Sequence, residues 1–435
     1  DRASRDAALK DVCAAAFEIA SANFDEDRHG ELKSAFGKLT EANIRRQIIE
    51  EGKRSDGRGT TDLRPLTSEV GVLPCTHGTG LFARGETQAL VVATLGTADD
   101  EQKYDSATQG SFTKKFYLQY NFPNFSVGEC GRIMGPGNRE IGHGNLAERS
   151  IAKMMPADFP YTVRCVSEVM GSNGSTSMAS ICGASLALLD AGVPLGKQIA
   201  GISCGLVQEG DKYVMINDIL GSEDHYGDMD FKVAGTRDGI TGFQLDLKIA
   251  GITLPQMEEA LGRNKGTRLQ ILDNMDACIA EPRAELNENA PQIKEIKIKE
   301  DKIGALIGTG GKTIKNIVEV SGAKVNIEDD GTVKVFAADK AAMNKALEMI
   351  ESEISEVEIG QIYRGEVTGI KPFGAFVQVF GQSGLLHISE MDEDRVEKVE
   401  DICQVGDKVS VKVLDVDNRG RVTFSRKAAL EELED

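Results

Sequence analysis

Three consecutive hydroxyl side chains, Ser175, Thr176 and Ser177, stand directly before a stretch of small residues, 178–191, that predicts a helix. Hydroxyl groups and the free N–H groups of a helix N-terminus together form a site for an oxyanion such as phosphate. An ordinary helix N-cap needs only one hydroxyl. Three in a row therefore favour anion binding.

Two basic side chains earlier in the chain could serve the same anion. Arg139 offers a charge-assisted and potentially bidentate contact. His143, four residues later, could support the same site. Both side chains could therefore add to an anion site at the hydroxyl cluster.

A second group of charges lies on a predicted strand. Asp228, Asp230 and Lys232 alternate with apolar residues, and this period of two places the three charges on one face. Asp238-Gly239 then indicates a hairpin turn. Carboxylates on such a face could hold Mg²⁺, which binds one or two protein carboxylates and otherwise water and phosphate. The alternative is a solvated, charged strand edge.

A glycine loop, made of Gly308, Thr309, Gly310 and Gly311, precedes Lys312. A nucleotide-binding P-loop needs another glycine five residues before its Gly-Lys-Thr, but the residue there is Leu306, which excludes that class. The loop instead resembles the GXXG loop of KH domains, which clamps single-stranded nucleic acid. Residues 302–318 contain lysines but no Asp or Glu, so the local charge is positive.

Short alternating strands with glycine turns follow Gly360 and predict a small β-barrel. This region is similar to S1-type RNA-binding domains, which are OB-folds. Aromatic side chains there would stack on bases, at about 1–3 kcal/mol per base. Alternatively, Phe373 and Phe376 belong to the core of the barrel, or one ring lies in the core and the other is exposed. The resemblance implies that these positions face RNA: Phe373, Phe376, His387, Asp417 and Arg421.

Changes in residue composition and pattern along the chain divide it into four regions. Residues 1–50 have helical periodicity and predict helices. Residues 51–282 mix short buried strands with helices and predict an α+β domain. Residues 291–356 contain the glycine loop, and residues 358–428 contain the predicted barrel.

The composition of the chain argues against several classes of function. The formal charge of −19 argues against a general polyanion binder, so any RNA site must be local. No stretch approaches the ~20 apolar residues of a membrane span, and no secretory leader opens the chain, so we expect a cytoplasmic protein. The eight cysteines are scattered without a C-x-x-C pair and predict reduced thiols, and a structural zinc is not expected.

Taken together, these motifs resemble the C-terminal portion of the polynucleotide phosphorylases of bacteria and organelles. An α+β core followed by a KH and an S1 domain is the order found in that family. The resemblance implies an RNase PH-like core of the ribosomal protein S5 domain 2-like fold, preceded by a helical segment. The motifs that carry it within the core are residues 52–58, 81–88, 139–144, 172–180 and 228–232.

The resemblance also implies an activity and its residues. The family degrades single-stranded RNA processively from the 3′ end, using inorganic phosphate as co-substrate and releasing nucleoside diphosphates, in a reversible reaction. Asp224, Asp230 and Lys232 match its catalytic positions, and both aspartates match its Mg²⁺ ligands, where Mn²⁺ can substitute. The hydroxyl cluster, Arg139 and His143 match its phosphate pocket. The family forms homotrimers and joins RNA-degradation complexes that contain an endoribonuclease and a helicase.

The chain departs from the family pattern at three places. Asn138 stands where members usually carry the first of two arginines, and Thr176 stands where serine is commoner. Members also have a first RNase PH-like core before the helical region in which this sequence begins. Two other functions stay open: an RNA-binding scaffold with an inactive core, and a hydrolytic, exosome-like nuclease that releases monophosphates without phosphate.

Overall fold

The computed structural model describes residues 2–106, 108, 110–132, 135–355, 357–380, 382–392, 396–417 and 421–434. The chain forms two compact units, Asp1–Ala290 and Pro291–Asp435. Within the described residues, no helix is both long enough and apolar enough to cross a membrane. All eight cysteines fall within these ranges and are free.

The first unit opens with two helices, as the periodicity predicts: α1 (Arg2–Ser21) and α2 (His29–Arg46). A short π-helical turn, Gln47–Glu51, continues α2. Ile48 in this turn is 1% exposed and packs with Val207, Ile216 and Ile219 of the core. The end of the helical region is therefore part of the hydrophobic core of this unit.

A mixed five-stranded sheet, in the order β1-β2-β3-β7-β6, forms one layer of the unit. Only β6 and β7 pair in parallel among these strands. A separate hairpin joins β4 to β5. The bounds are β1 (Leu66–Val70), β2 (Gly78–Arg84), β3 (Thr87–Gly96), β4 (Gln102–Ser106), β5 (Gly110–Lys114), β6 (Phe116–Asn121) and β7 (Thr162–Gly171).

The second layer is an antiparallel sheet in the order β11-β10-β8-β9. Its strands are β8 (Ala200–Glu209), β9 (Lys212–Asn217), β10 (Met229–Gly235) and β11 (Ile240–Leu247). The turn predicted at Asp238-Gly239 connects β10 to β11, and their register places Asp230 opposite Asp246. The remaining helices of the unit are α3 (Asn138–Ala152), α4 (Thr176–Asp190), α5 (Gly221–Tyr226) and α6 (Leu254–Cys278).

Helix α4 lies at the centre of this unit, and this position explains its small residues. Every residue from Thr176 to Leu189 is buried. Its side chains pack with β2, β3, β8 and α6 in one hydrophobic cluster. A Cβ at Gly80 would lie 2.3 Å from the carbonyl oxygen of Gly183, so glycine permits the close approach of β2 to the helix. The N-terminus of α4 is thereby fixed in place.

The second unit contains a three-helix, three-stranded region followed by a barrel. The first comprises β12 (Gln292–Lys297), α7 (Glu300–Ile307), α8 (Lys312–Ser321), β13 (Lys324–Ile327), β14 (Thr332–Ala337) and α9 (Lys340–Ile354). The closed barrel has the order β15-β16-β17-β19-β18, and a helix follows it. The bounds are β15 (Ile362–Lys371), β16 (Gly374–Val379), β17 (Gln382–His387), β18 (Lys408–Val416), β19 (Val422–Ser425) and α10 (Lys427–Glu434). The five-stranded closed barrel is consistent with the predicted OB-fold.

Candidate active site

A cavity of about 1200 Å³ in the first unit brings together most of the residues that the sequence singles out for chemistry. We call it the pocket. Helix α3, the loop before α4, helix α5 and the hairpin β10–β11 supply its walls. The predicted residues on these walls are Arg139, His143, Ser175, Thr176, Asp224, Asp230 and Lys232. Ser177 lies outside the lining and is fully buried.

The N-terminus of α4 has unsatisfied polar groups rather than an ordinary cap. Ser175 is the N-cap residue, at φ 49° and ψ 54°, and its side chain makes no capping hydrogen bond. Among the described residues, the Oγ atoms of Ser175 and Ser177 are buried and have no hydrogen-bond partner. Buried polar groups are normally paired. The interpretation as a simple N-cap is therefore wrong, and the geometry fits an anion at a helix N-terminus.

Tyr120 closes the pocket beside this end of α4, and no motif in the sequence marks it. The hydroxyls of Tyr120 and Thr176 form a 2.6 Å hydrogen bond. The Tyr120 ring meets His143 edge to face, with 5.7 Å between centroids. Burial raises the pKa of Tyr120 to about 12. Burial, together with the nearby Lys232 and Arg139, lowers the pKa of His143 to about 4, so this imidazole is neutral at pH 7.

The opposite wall of the pocket carries the acidic residues. Lys232 donates a hydrogen bond from Nζ to Oδ2 of Asp230, and both side chains are less than a tenth exposed. Burial raises the pKa of Asp230, Lys232 opposes this shift, and Asp224 and Asp246 add to it. Oδ1 of Asp230 is buried and has no hydrogen-bond partner among the described residues. A cation at this oxygen would relieve the repulsion.

These carboxylates fit an oxygen-seeking divalent cation. The described residues contain no cluster of three or more potential ligands already gathered around one point. Mg²⁺ needs only one or two protein carboxylates, and Asp224 and Asp230 both face the pocket. Asp246 lines the same wall. The hairpin turn predicted at Asp238-Gly239 could have identified Asp246 from the sequence, because strand pairing across this turn places Asp246 opposite Asp230.

Asp228 has a different role from its neighbours on the strand. Arg45 of α2 donates to both of its carboxylate oxygens, at 3.0 and 2.9 Å, and the backbone N–H of Gln208 donates to it at 2.7 Å. Asp228 is not part of the pocket lining. Asp228 therefore does not join Asp230 as a carboxylate available to Mg²⁺, as the strand pattern suggested; it anchors the helical region to the core.

The glycine loop of the second unit joins α7 to α8 and is mostly exposed. Gly308, Gly310 and Gly311 have φ values of 71°, 64° and 77°. A Cβ at Gly308 would lie 2.2 Å from Oγ1 of Thr313, so a side chain cannot be accommodated there. Thr309 and Lys312 are not buried. The backbone and the positive charge of this loop are thus accessible.

The aromatic residues predicted to face RNA lie at one end of the β16–β17 pair. Phe373 is 48% exposed and Phe376 is half-buried, and their rings meet edge to face at 6.5 Å. Neither ring belongs to the buried core of the barrel. His387 is exposed, pairs across the strands with Gly374, and contacts Ser389. Asp417 and Arg421 form an ion pair of 2.7 Å at the surface of the same barrel.

Comparison with known proteins agrees with this architecture. Residues 1–59 match the "Polyribonucleotide nucleotidyltransferase, RNA binding domain" family, and residues 62–194 match the "3′ exoribonuclease family, domain 1". Residues 293–352 match the KH domain, and residues 356–427 match the S1 RNA binding domain. The fold and the pocket thus define an RNase PH-like core combined with two RNA-binding domains.

Curated proteins narrow this class further. The chain is 51% identical to a polyribonucleotide nucleotidyltransferase of Thermodesulfovibrio yellowstonii, a match covering 95% of this chain and 58% of that protein. The proteins of the same name from Phenylobacterium zucineum and Afipia carboxidovorans are 52% and 54% identical, over 98% and 93% of this chain and 60% and 57% of theirs. The chain therefore has the domain composition of the polyribonucleotide nucleotidyltransferases and spans about 60% of the length of these relatives.

A solved structure also matches. Rrp46 of rice (Oryza sativa) superimposes with a TM-score of 0.42 and 20% identity, covering 51% of this chain and 98% of that one.

Proposed function

We propose that the pocket is the centre of a phosphate-dependent, 3′-to-5′ exoribonuclease that acts on single-stranded RNA and releases nucleoside diphosphates. One observation carries the proposal: the buried, unpartnered hydroxyl of Ser175 at the N-terminus of α4 lines the same cavity as Asp224, Asp230 and Lys232. The first group suits an inorganic oxyanion, and the second suits a phosphodiester under attack. The curated relatives of the same domain composition carry the name of such an enzyme.

The proposed reaction needs two phosphate groups held side by side. Inorganic phosphate binds at Ser175, Thr176 and Ser177, with Arg139 as a charged contact. One of its oxygens forms a bond to the phosphorus of the 3′-terminal phosphodiester. The bond from that phosphorus to the O3′ atom of the preceding nucleotide breaks, the terminal nucleotide leaves as a diphosphate, and O3′ takes up a proton. The reverse reaction extends RNA.

The acidic wall stabilises the charge that this attack creates. Lys232 presents a compact positive charge, and Asp230 orients it through their hydrogen bond. Asp224 and Asp230 would together hold a divalent cation, Mg²⁺ or Mn²⁺. When bound, such a cation neutralises phosphate oxygens and helps to stabilise the transition state. His143 is neutral and contributes a hydrogen bond and packing rather than charge.

The second unit would hold the RNA upstream of its reacting end. We assign backbone clamping to the loop Gly308, Thr309, Gly310 and Gly311, with Lys312 as a phosphate contact. Base stacking is assigned to Phe373 and Phe376. His387, Asp417 and Arg421 complete this RNA-binding surface. The four-part division at residues 1–50, 51–282, 291–356 and 358–428 belongs to the same proposal.

The assembly and location are also proposals, and they follow from the family resemblance of the sequence. We infer a cytoplasmic homotrimer in which this chain works with a first RNase PH-like core. An endoribonuclease and a helicase are the partners expected in an RNA-degradation complex, and messenger RNA turnover is the expected role.

A product assay tests the function. The chain is incubated with 3′-labelled single-stranded RNA and Mg²⁺, with and without inorganic phosphate, and the released nucleotide is identified. Labelled diphosphates that appear only with phosphate are expected. Monophosphates without phosphate would instead establish a hydrolase. RNA binding without release, persisting after a first RNase PH-like core is supplied, would establish a binding protein.

A further inference from the structure

The loop before α4 turns its backbone carbonyls away from the pocket and onto two buried arginines. Arg64 donates from Nη1 to the carbonyl of Asn173 at 2.7 Å. Arg84 donates from Nη2 to the carbonyls of Gly174 and Ser175, at 3.1 and 3.3 Å. Three successive carbonyls are therefore fixed from behind by guanidinium groups.

This arrangement determines where the following amides point. In a trans peptide the C=O and N–H bonds point in opposite directions, and the described residues contain no cis peptide. Fixing the carbonyls of residues 173–175 therefore turns the N–H groups of Gly174, Ser175 and Thr176 to the other side, where the loop lines the pocket. These three N–H groups have no hydrogen-bond partner among the described residues.

One carboxylate holds both arginines. Asp218 accepts two hydrogen bonds from the Arg64 side chain, at 2.7 and 2.9 Å. Its Oδ1 lies 2.7 Å from Nε of Arg84, and its Oδ2 accepts from Arg58 at 3.0 Å. The Asp218 and Arg84 side chains are completely buried. Burial alone would raise the pKa of Asp218, but the surrounding arginines hold it well below its usual range.

The backbone around this carboxylate is strained in the same region as the loop. Ser175 and Asp218, at φ 49° and 52°, are the non-glycine residues of the first unit with positive φ in the described part of the chain. Such conformations persist only where the surroundings impose them. A Cβ at Gly174 would lie 2.2 Å from the carbonyl oxygen of Ile219, so the loop is pressed directly against the residue after Asp218.

Four arginines and several carboxylates surround the loop. Arg54, Arg58, Arg64 and Arg84 pair with Asp56, Asp218 and Glu223, and Glu86 accepts a hydrogen bond from Nδ2 of Asn173. Arg84 is completely buried, and its Nη1 has no hydrogen-bond partner among the described residues. Arg84 thus places a buried guanidinium directly behind Gly174 and Ser175, whose carbonyls it contacts, and its positive charge favours an anion in front of them.

We propose that Asp218, acting through Arg64 and Arg84, is a positioning residue for inorganic phosphate, because it sets the orientation of the amides and hydroxyls at residues 174–177. The inference rests on the proposed function, since it concerns the phosphate of that same pocket. Asp218 touches no reacting atom. Its role is to keep the anion site in shape before phosphate arrives.

Variants that differ in severity test this role. Asp218→Asn removes the charge that holds the arginines, and Arg84→Met removes a donor to two carbonyls. Thr87→Val is milder: the Thr87 hydroxyl accepts from the Asn173 N–H and donates to the Gly174 carbonyl, and valine keeps its shape. Thr87→Ser keeps the hydroxyl and should behave as the unaltered chain does. Arg268→Met is the matched control, since Arg268 is buried on α6 and contacts Thr236 outside the pocket lining.

Two measurements are made on each variant: the KM values for phosphate and for RNA together with kcat, and the shift in Tm that inorganic phosphate causes. We expect Asp218→Asn and Arg84→Met to raise the KM for phosphate at least about tenfold, since each disturbs hydrogen bonds that involve charged groups. Thr87→Val should raise it about threefold, because it removes two neutral hydrogen bonds to the loop and one long contact, of 3.4 Å, from Arg64. The KM for RNA should change little, and the phosphate-induced Tm shift should shrink in the same order.

The outcomes separate the two proposals. If the unaltered chain, with a first core supplied, neither consumes phosphate nor gains stability from it, the proposed function fails. If it does both, but the folded variants respond to phosphate as Arg268→Met does, only the positioning role is overturned. If the harsher variants do not fold, the KM for phosphate of Thr87→Val decides between these outcomes.

Discussion

The pocket of the first unit and the surface of the second unit that we assign to RNA are built in opposite ways. Around the pocket, charged side chains are buried and paired, as in the ion pairs of Asp218 with Arg84 and of Arg54 with Glu223. On the second unit, none of the residues assigned to RNA is buried: the side chain of Arg421 is 74% accessible, and Phe373 is about half accessible. One region is held in place by buried contacts, and the other presents its side chains to solvent.

This difference matches the tasks proposed for the two regions. Chemistry at phosphorus requires groups that already point at the charge developing in the transition state. Holding an RNA of any sequence requires only flat rings, free N–H groups and positive charge, each contributing modestly. We therefore expect substitutions in the first unit to affect stability or turnover strongly, and substitutions in the second to affect RNA affinity moderately.

The largest effect should come from the fully buried ion pair. Arg54→Met leaves Glu223 buried without its partner and also removes hydrogen bonds to the carbonyls of Asn217 and Asp218. We expect the free energy of unfolding to fall by about 3–5 kcal/mol, measured by urea denaturation. Lys197→Met breaks the exposed pair with Asp238 and should cost far less, since solvent screens that pair. Equal costs for the two variants would show that buried and exposed ion pairs do not differ in their effect on stability.

Asp230→Asn should lower kcat by about 10²–10³, as removal of one electrostatic group from an active site commonly does. RNA affinity should stay within about twofold, because the second unit is intact. Single-turnover kinetics and filter binding measure the two quantities. Asp238→Asn, at an exposed turn, is the matched control. A parallel loss of RNA affinity would argue against a division of labour between the units.

The neutral His143 predicts a pH-dependent stability. Its pKa in the folded state, about 4, lies below the ~6.5 of an unfolded histidine. Between these values the unfolded chain binds the proton and the folded chain does not, so stability falls as pH decreases from about 6.5 toward 4. The loss specific to this residue should reach up to about 2 kcal/mol at pH 5. Urea denaturation at pH 7 and pH 5 measures it, and His143→Gln should remove that part of the slope.

Phe373→Ala should weaken binding of single-stranded RNA by about 1–2 kcal/mol, since one exposed stacking ring is lost. The free energy of unfolding should hardly change, because the ring lies outside the buried core of the barrel. Fluorescence anisotropy with a labelled oligonucleotide and urea denaturation report these two effects. Val377→Ala, within that core, should do the reverse. Unchanged RNA affinity in Phe373→Ala would remove this ring from the RNA-binding surface.

Local patterns in the sequence predicted the elements well. The small-residue helix, the hairpin at Asp238-Gly239 and the glycine loop at 308–311 each depend on neighbouring residues, and the structure confirms all three. Most candidate pocket residues also meet on one cavity, because motifs shared with a known family carry tertiary information.

Interactions between distant parts of the chain were not predictable in this way. Asp218 and Arg64 form an ion pair although 154 residues separate them in the sequence, and neither their spacing nor their residue types predict this pair. Arg45 and Asp228 are hydrogen-bonded although 183 residues separate them in the sequence. This contact occupies a carboxylate that the strand pattern places beside Asp230. The left-handed conformation of Ser175 likewise arises from packing, since serine has no intrinsic preference for it.

The contact between Arg45 and Asp228 limits how freely the regions of this chain can be recombined. Arg45 donates hydrogen bonds to both carboxylate oxygens of Asp228 and to the carbonyls of Gln208 and Tyr226. A core grafted behind a different leading segment would keep Asp228, which lies two residues before Asp230. It would lose the guanidinium of Arg45 that pairs with this carboxylate. The helical region is therefore not an interchangeable spacer: any replacement must bring an arginine to the same place.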